Sequence, residues 1–73
     1  MKVESAKEIG NLVRSRRTSL GFSQAETAQM CNVGTRFLSE LENGKPTLQL
    51  DKVLECLALL GINMHCVNRE DDK

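Results

Sequence analysis

Ser23-Gln-Ala-Glu-Thr-Ala-Gln-Met-Cys-Asn-Val-Gly-Thr-Arg-Phe-Leu-Ser-Glu-Leu-Glu-Asn-Gly44 decides the fold of this chain. It reads as two short helices joined by a tight turn. Ser23, with Glu26 three residues on, makes a capping box in which hydroxyl and carboxylate reciprocally satisfy free amides. Phe22, just outside, sets the angle at which the chain arrives. The first helix runs through Ala28 to about Cys31, and Asn32 tolerates the left-handed conformation that a tight helix–helix turn requires. The second helix opens near Thr35 and ends at Asn43-Gly44. Val33, Leu38 and Leu41 give it an inward stripe, and Thr35, Arg36, Ser39 and Glu40 are left on the opposite face. Ala28 is small because the two helices cross closely there.

Working outward, Ser5-Ala-Lys-Glu8 is another capping box. Ile9, Leu12, Val13 and Leu20 follow at helical spacing, and Gly21 ends a helix of about four turns. On the other side, Lys45-Pro46-Thr47 is a short connection. A further helix carries Leu50, Val53, Leu54, Leu57, Leu59 and Leu60 and closes at Gly61. After Gly61 the period changes. Ile62-Asn-Met-His-Cys-Val67 alternates apolar and polar through Cys66, the pattern of a strand of about six residues. A lone strand has no partner for its hydrogen bonds and invites pairing with another chain. Two copies joining these strands across a two-fold axis, through Ile62, Met64 and Cys66, is the economical solution; a tail disordered or packed on a helix is the alternative. Residues 68–73 read as a loose polar tail. The expectation is a single domain over 1–73, with a helical core at 5–61 and a dimerisation strand at 62–67.

Composition bounds the function. Seventy-three residues, 40% hydrophobic and 27% charged, suit one small globular domain rather than a disordered chain. Without Trp or Tyr and with only two Phe, the core falls to Leu, Ile, Val, Met and Ala. Such a core stabilises weakly, so oligomerisation is expected. Cys31, Cys56 and Cys66 are odd in number and lack metal-site spacing, and His65 beside Cys66 does not complete a zinc site. They read as buried or inert thiols of a reducing cytoplasm, with no metal or cofactor. No nucleophile-and-base set or glycine-rich phosphate loop is present, which excludes an enzyme and a small-molecule substrate. Nothing reads as a signal peptide or as the roughly 18-residue apolar run of a membrane span. The formal charge is zero but polarised. Residues 1–36 hold six Lys/Arg against three Glu, and residues 37–73 hold four against seven acidic residues.

The ordered set Arg17, Leu20-Gly21, Ser23-Gln24, Glu26, Ala28, Val33, Leu38, Leu41-Glu42-Asn43-Gly44 and Leu60-Gly61 resembles the Cro/C1-type (XRE) helix-turn-helix repressor family over residues 9–61. The resemblance implies an all-α, lambda-repressor-like bundle of four to five helices. With the C-terminal strand pairing across a homodimer, it is most like the HipB-type antitoxins. It further implies a sequence-specific repressor that binds a palindromic operator in double-stranded DNA, autoregulates its operon and holds a HipA-type Ser/Thr kinase toxin inactive. That places it in a prokaryotic cytoplasm, on the nucleoid when bound. A stand-alone phage- or plasmid-type repressor, or a protein-interaction module with this fold, stays open.

Residue by residue, the first turn of the recognition helix would contact base edges in the major groove. Arg36 can donate two hydrogen bonds to guanine, with Thr35 and Ser39 reaching a phosphate or a base. Taken alone, Arg36 and Glu40 make only a solvated i,i+4 ion pair. Gln24 matches the family's phosphate-binding glutamine, and Asn43 and Lys45 are placed for backbone contacts. Arg14 and Arg16 offer electrostatic support or a solvated face. Arg17 and Glu42 map to the family's structural ion pair. Three positions depart from the pattern: Thr27 stands for the usual Leu, Gly34 for the usual Ser or Thr cap, and Phe37 for a small polar residue. Glu40 faces the groove as a carboxylate that repels phosphate or accepts from cytosine. Phe37 can touch a thymine methyl or sugar, or serve a protein contact.

Overall fold

Each of the capping signals starts a helix. In the computed structural model, which describes residues 3–69, helices α1 (Ala6–Ser19), α2 (Gln24–Met30), α3 (Thr35–Glu42) and α4 (Leu50–Leu59) follow in chain order. The α2 box is complete: the Ser23 amide donates to Glu26 at 2.9 Å and the Glu26 amide donates to the Ser23 hydroxyl at 3.0 Å. Hydrogen bonding to the Glu26 carboxyl, from the Ser23 amide first and its side chain second, holds that group below its ordinary pKa. The α1 box differs from its expected form. Ser5 accepts from the Glu8 amide, but the Glu8 carboxylate reaches past the cap to the Glu4 amide at 2.9 Å. The Ser5 hydroxyl donates to that carboxylate as well, so it keeps two donors.

The turn between α2 and α3 is a Schellman closure. Asn32 takes φ 56°, its amide donates to the Gln29 carbonyl at 3.2 Å, and the Val33 amide donates to that of Ala28 at 3.0 Å. α3 ends in the same way, with the Gly44 amide bonded to Leu41 and the Lys45 amide to Glu40. Gly44 has φ 82°, and a Cβ on it would lie 2.7 Å from the Lys7 Cα, so both conformation and room require glycine.

α3 packs against α1 and α2, and the core is built from Val13, Ala28, Cys31, Leu38, Leu41, Val53, Cys56, Leu57 and Leu60. Of the apolar residues of α4, the helical stripe through Val53 and Leu57 to Leu60 is buried, while Leu50, Leu54 and Leu59 stay on the surface. Two of the three cysteines belong to the core and Cys66 is exposed. Burial, reinforced by the neighbouring Cys31, pushes the Cys56 thiol up to about 12. At neutral pH it is a small apolar side chain, because reactivity needs the thiolate.

Thr27 is also fully buried, and its hydroxyl has no hydrogen-bond partner among the described residues. A desolvated, unpaired hydroxyl is a net cost that a methyl avoids. Thr27→Val should therefore raise stability by about 1 kcal/mol, seen as a higher urea midpoint. A lower midpoint would reveal a partner for the hydroxyl.

Residues 62–67 carry no assigned strand. Ile62 packs against the core, whereas Met64, Cys66 and Val67 are exposed. A single chain supplies no second strand for a ladder among its described residues, so the expected pairing requires another copy. Of the polar tail, residues 70–73 lie outside the described residues.

Candidate nucleic-acid interface

The two faces of α3 are sharply divided. Leu38, Leu41 and Glu42 are buried behind it, and Thr35 and Arg36 are exposed in its first turn. The Arg36 side chain is 90% exposed, with its Nε 3.8 Å from Glu40. Ser39 is half-buried, and its hydroxyl accepts from the Asn43 side-chain amide at 3.5 Å. Phe37 is half-buried against the core, which gives the aromatic ring a packing role whatever else it touches.

The charged centre of this surface lies behind α3. The Glu42 side chain has no solvent exposure, a position where a carboxylate needs partners. Arg17 supplies the principal ones. Its Nε donates to Oε2 at 2.6 Å and its Nη2 to Oε1 at 3.0 Å, a two-pronged pair. A further Arg17 N–H donates to the Phe22 carbonyl at 2.8 Å. Gln24 Nε2 donates to Glu42 Oε1 at 3.1 Å, and Arg14 Nε reaches the same oxygen at 3.4 Å. Burial alone would push the Glu42 carboxyl up. The hydrogen bonds of Arg17, Gln24 and Arg14, with the charge of Arg17, outweigh it and hold the group below its ordinary pKa. Arg17 shifts the other way, raised by the Glu42 bond.

Three of the residues read as DNA contacts are thereby held in place. Gln24, on the first residue of α2, is tied to Glu42. Asn43 accepts from Arg14 Nη2 at 3.4 Å, so it joins the same cluster one residue further on. Lys45, brought back by the closure at Gly44, donates from Nζ to Glu40 at 3.0 Å. Glu40 thus stands between Lys45 and Arg36. Ile62, Met64 and Cys66, expected from the sequence to pair two copies, lie in a separate segment after α4. There Arg16, read only as a surface cation, donates from Nε to the Leu60 carbonyl at 2.8 Å and caps the helix end.

Two residues of the interface escaped the sequence reading in the role they hold. Arg14, although half exposed, links Glu42 to Asn43. Gly10 lets α1 approach α3, since a Cβ there would meet the Leu41 carbonyl oxygen and lie 2.8 Å from that of Glu42. Its signal was available: an isolated glycine inside a helical pattern, three residues before buried Val13.

Residues 13–65 match the sequence profile of the family described as helix-turn-helix. Over 63 residues the chain is 41% identical to the uncharacterized HTH-type transcriptional regulator y4mF of Sinorhizobium fredii, covering 86% of this chain and 83% of that one. A chain of the HipA-HipB-O2-O3 complex superposes with a TM-score of 0.83 at 22% identity, over 94% of this chain and 97% of the other. A chain of the HipB-O4 20mer complex gives 0.82 at 22% identity, over 94% and 97%. At those identities the likeness is one of fold. No described helix is long and apolar enough to cross a membrane.

Proposed function

This chain belongs to the helix-turn-helix family of DNA-binding transcriptional regulators, and from that premise we propose that it is the antitoxin of a HipBA-type module. In this reading it represses its own operon and binds a HipA-type Ser/Thr kinase. Two copies pair their 62–67 segments about a two-fold axis. Each places α3 in the major groove of one half-site of a palindromic operator, with the half-sites about one helical turn apart. Thr35, Arg36, Ser39 and Glu40 face base edges; Gln24, Asn43 and Lys45 face phosphates. The protein works in the cytoplasm and lies on the nucleoid when bound.

The observation that supports this best is the division of α3. A helix whose rear is locked by buried Leu38, Leu41 and Glu42 holds an almost fully exposed Arg36 in its first turn. An arginine so placed can read guanine through two hydrogen bonds, worth about 1–3 kcal/mol of discrimination. Arg36→Ala should therefore remove preference for a duplex selected from a randomised pool. Its urea midpoint and the two-chain sedimentation mass should stay unchanged. Undiminished preference would remove Arg36 from the site, and a wild-type mass of one chain would remove the dimer. A kinase-like reading frame beside this gene would separate the antitoxin from a stand-alone repressor.

A further inference from the structure

We propose that Glu40 is a specificity gate: it holds Arg36 and Lys45 in the free protein, so that contact with phosphates alone is disfavoured and a matching base edge is required to release them. The inference deepens the DNA-binding reading above and rests on it.

The geometry is a single carboxylate shared by two cations. Lys45 Nζ donates to Glu40 Oε2 at 3.0 Å, and Arg36 Nε lies 3.8 Å from the same oxygen. The arrangement is fixed locally. Arg36 is one helical turn before Glu40, and the Schellman closure at Gly44 folds Lys45 back, its amide bonded to the Glu40 carbonyl at 3.0 Å. Glu40 is only 29% exposed, so losing both cations would leave a partly desolvated carboxylate without compensation.

Non-specific affinity for DNA comes from lysines and arginines neutralising phosphates, and it scales with the number neutralised. A phosphate that draws Lys45 or Arg36 away must separate them from Glu40 and then sit beside its negative charge. Any sequence imposes that penalty, because every sequence presents phosphates. A base edge that offers an amino hydrogen, such as cytosine N4, compensates Glu40 by giving it a replacement donor. Arg36 is then free for its own base. The carboxylate therefore lowers affinity for all duplexes and restores it for few, which is what raises selectivity.

The test titrates the full chain with a random pool of duplexes of about 20 base pairs and with duplexes selected from that pool by the wild type. Glu40→Gln keeps the side-chain shape and removes the charge. Glu55→Gln, at an exposed position of α4 outside the interface, controls for net charge. Glu40→Gln should tighten random-pool binding by about five- to tenfold, as expected for two exposed ion pairs of this kind. It should also steepen the dependence of log affinity on log salt by about 0.9 for each phosphate gained. Selected duplexes should gain nothing, and a cytosine enriched by the wild type should no longer be enriched by the variant. Adding Lys45→Ala to Glu40→Gln should cancel most of the random-pool gain.

If Glu40→Gln shifts both duplex sets by one factor, as Glu55→Gln does, Glu40 contributes only charge and the gate is wrong. If the wild type selects duplexes while the variant's random-pool affinity is unchanged, the gate alone fails. If neither protein binds any duplex at low salt, the DNA reading falls and the gate with it.

Discussion

Gly10→Ala is expected to lower the unfolding free energy by about 3 kcal/mol, although alanine inside a helix ordinarily gains about 1 kcal/mol over glycine. The sign is reversed by what the new methyl would meet. It would run into the Leu41 carbonyl oxygen and lie 2.8 Å from the Glu42 carbonyl oxygen. Both are backbone atoms at the end of α3, and neither can turn aside as a side chain would. The only relief is to move α3 away from α1, which opens the packing of Val13, Leu38 and Leu41. That movement carries Glu42 with it, so the cluster that holds Gln24 and Arg14 loosens too. Chemical unfolding followed by circular dichroism measures the loss, and DNA affinity should fall alongside it. A midpoint equal to or above that of the wild type would mean that the helices sit further apart than described.

The helix-turn-helix is legible in the sequence because its signals are local. A capping serine, a carboxylate three residues later and an asparagine at the turn each act within one or two turns of their own position. The inward stripe of α3 is legible for the same reason, since period alone separates Leu38 and Leu41 from Arg36 and Glu40. Gly10 is of another kind. Within α1 it is merely a weak helix former, and its importance exists only where a second helix crosses it. Arg14 and Gln24 are similar. Spacing puts each on a helix and the resemblance gave Gln24 a phosphate to bind, but that both converge on one carboxylate of α3 is a tertiary fact. The exposed Leu50, Leu54 and Leu59 show the opposite limit. An apolar residue at helical spacing states a preference, and only the neighbouring helices decide which of several is covered. The alternation of residues 62–67 reads as a strand, yet one chain provides no partner to make it one.

Glu42→Ala is expected to destabilise the domain by about 3–5 kcal/mol, the range for breaking a buried ion pair by removing one member. The size follows from what is left behind. The Arg17 side chain is 12% exposed and would keep only its bond to the Phe22 carbonyl. Gln24 and Arg14 would lose their shared acceptor, so the placement of Gln24 and Asn43 would fail as the fold weakened. Glu42→Gln keeps the shape and one acceptor oxygen while removing the charge, and it should cost less. It also isolates a dependence on pH. The folded-state pKa of Glu42 is lowered from the ordinary carboxylate value, which in an unfolded chain is about 4.3. The pair's contribution is therefore fully present above that value and is lost as the pH falls through the lower folded-state pKa. Wild-type stability should drop between neutral pH and about pH 3 by more than that of Glu42→Gln, with urea midpoints as the measure. Parallel pH profiles, or a cost for Glu42→Ala below about 1 kcal/mol, would place the pair among exposed ion pairs that solvent readily replaces. The rear of α3 would then hold Arg36 by apolar packing alone.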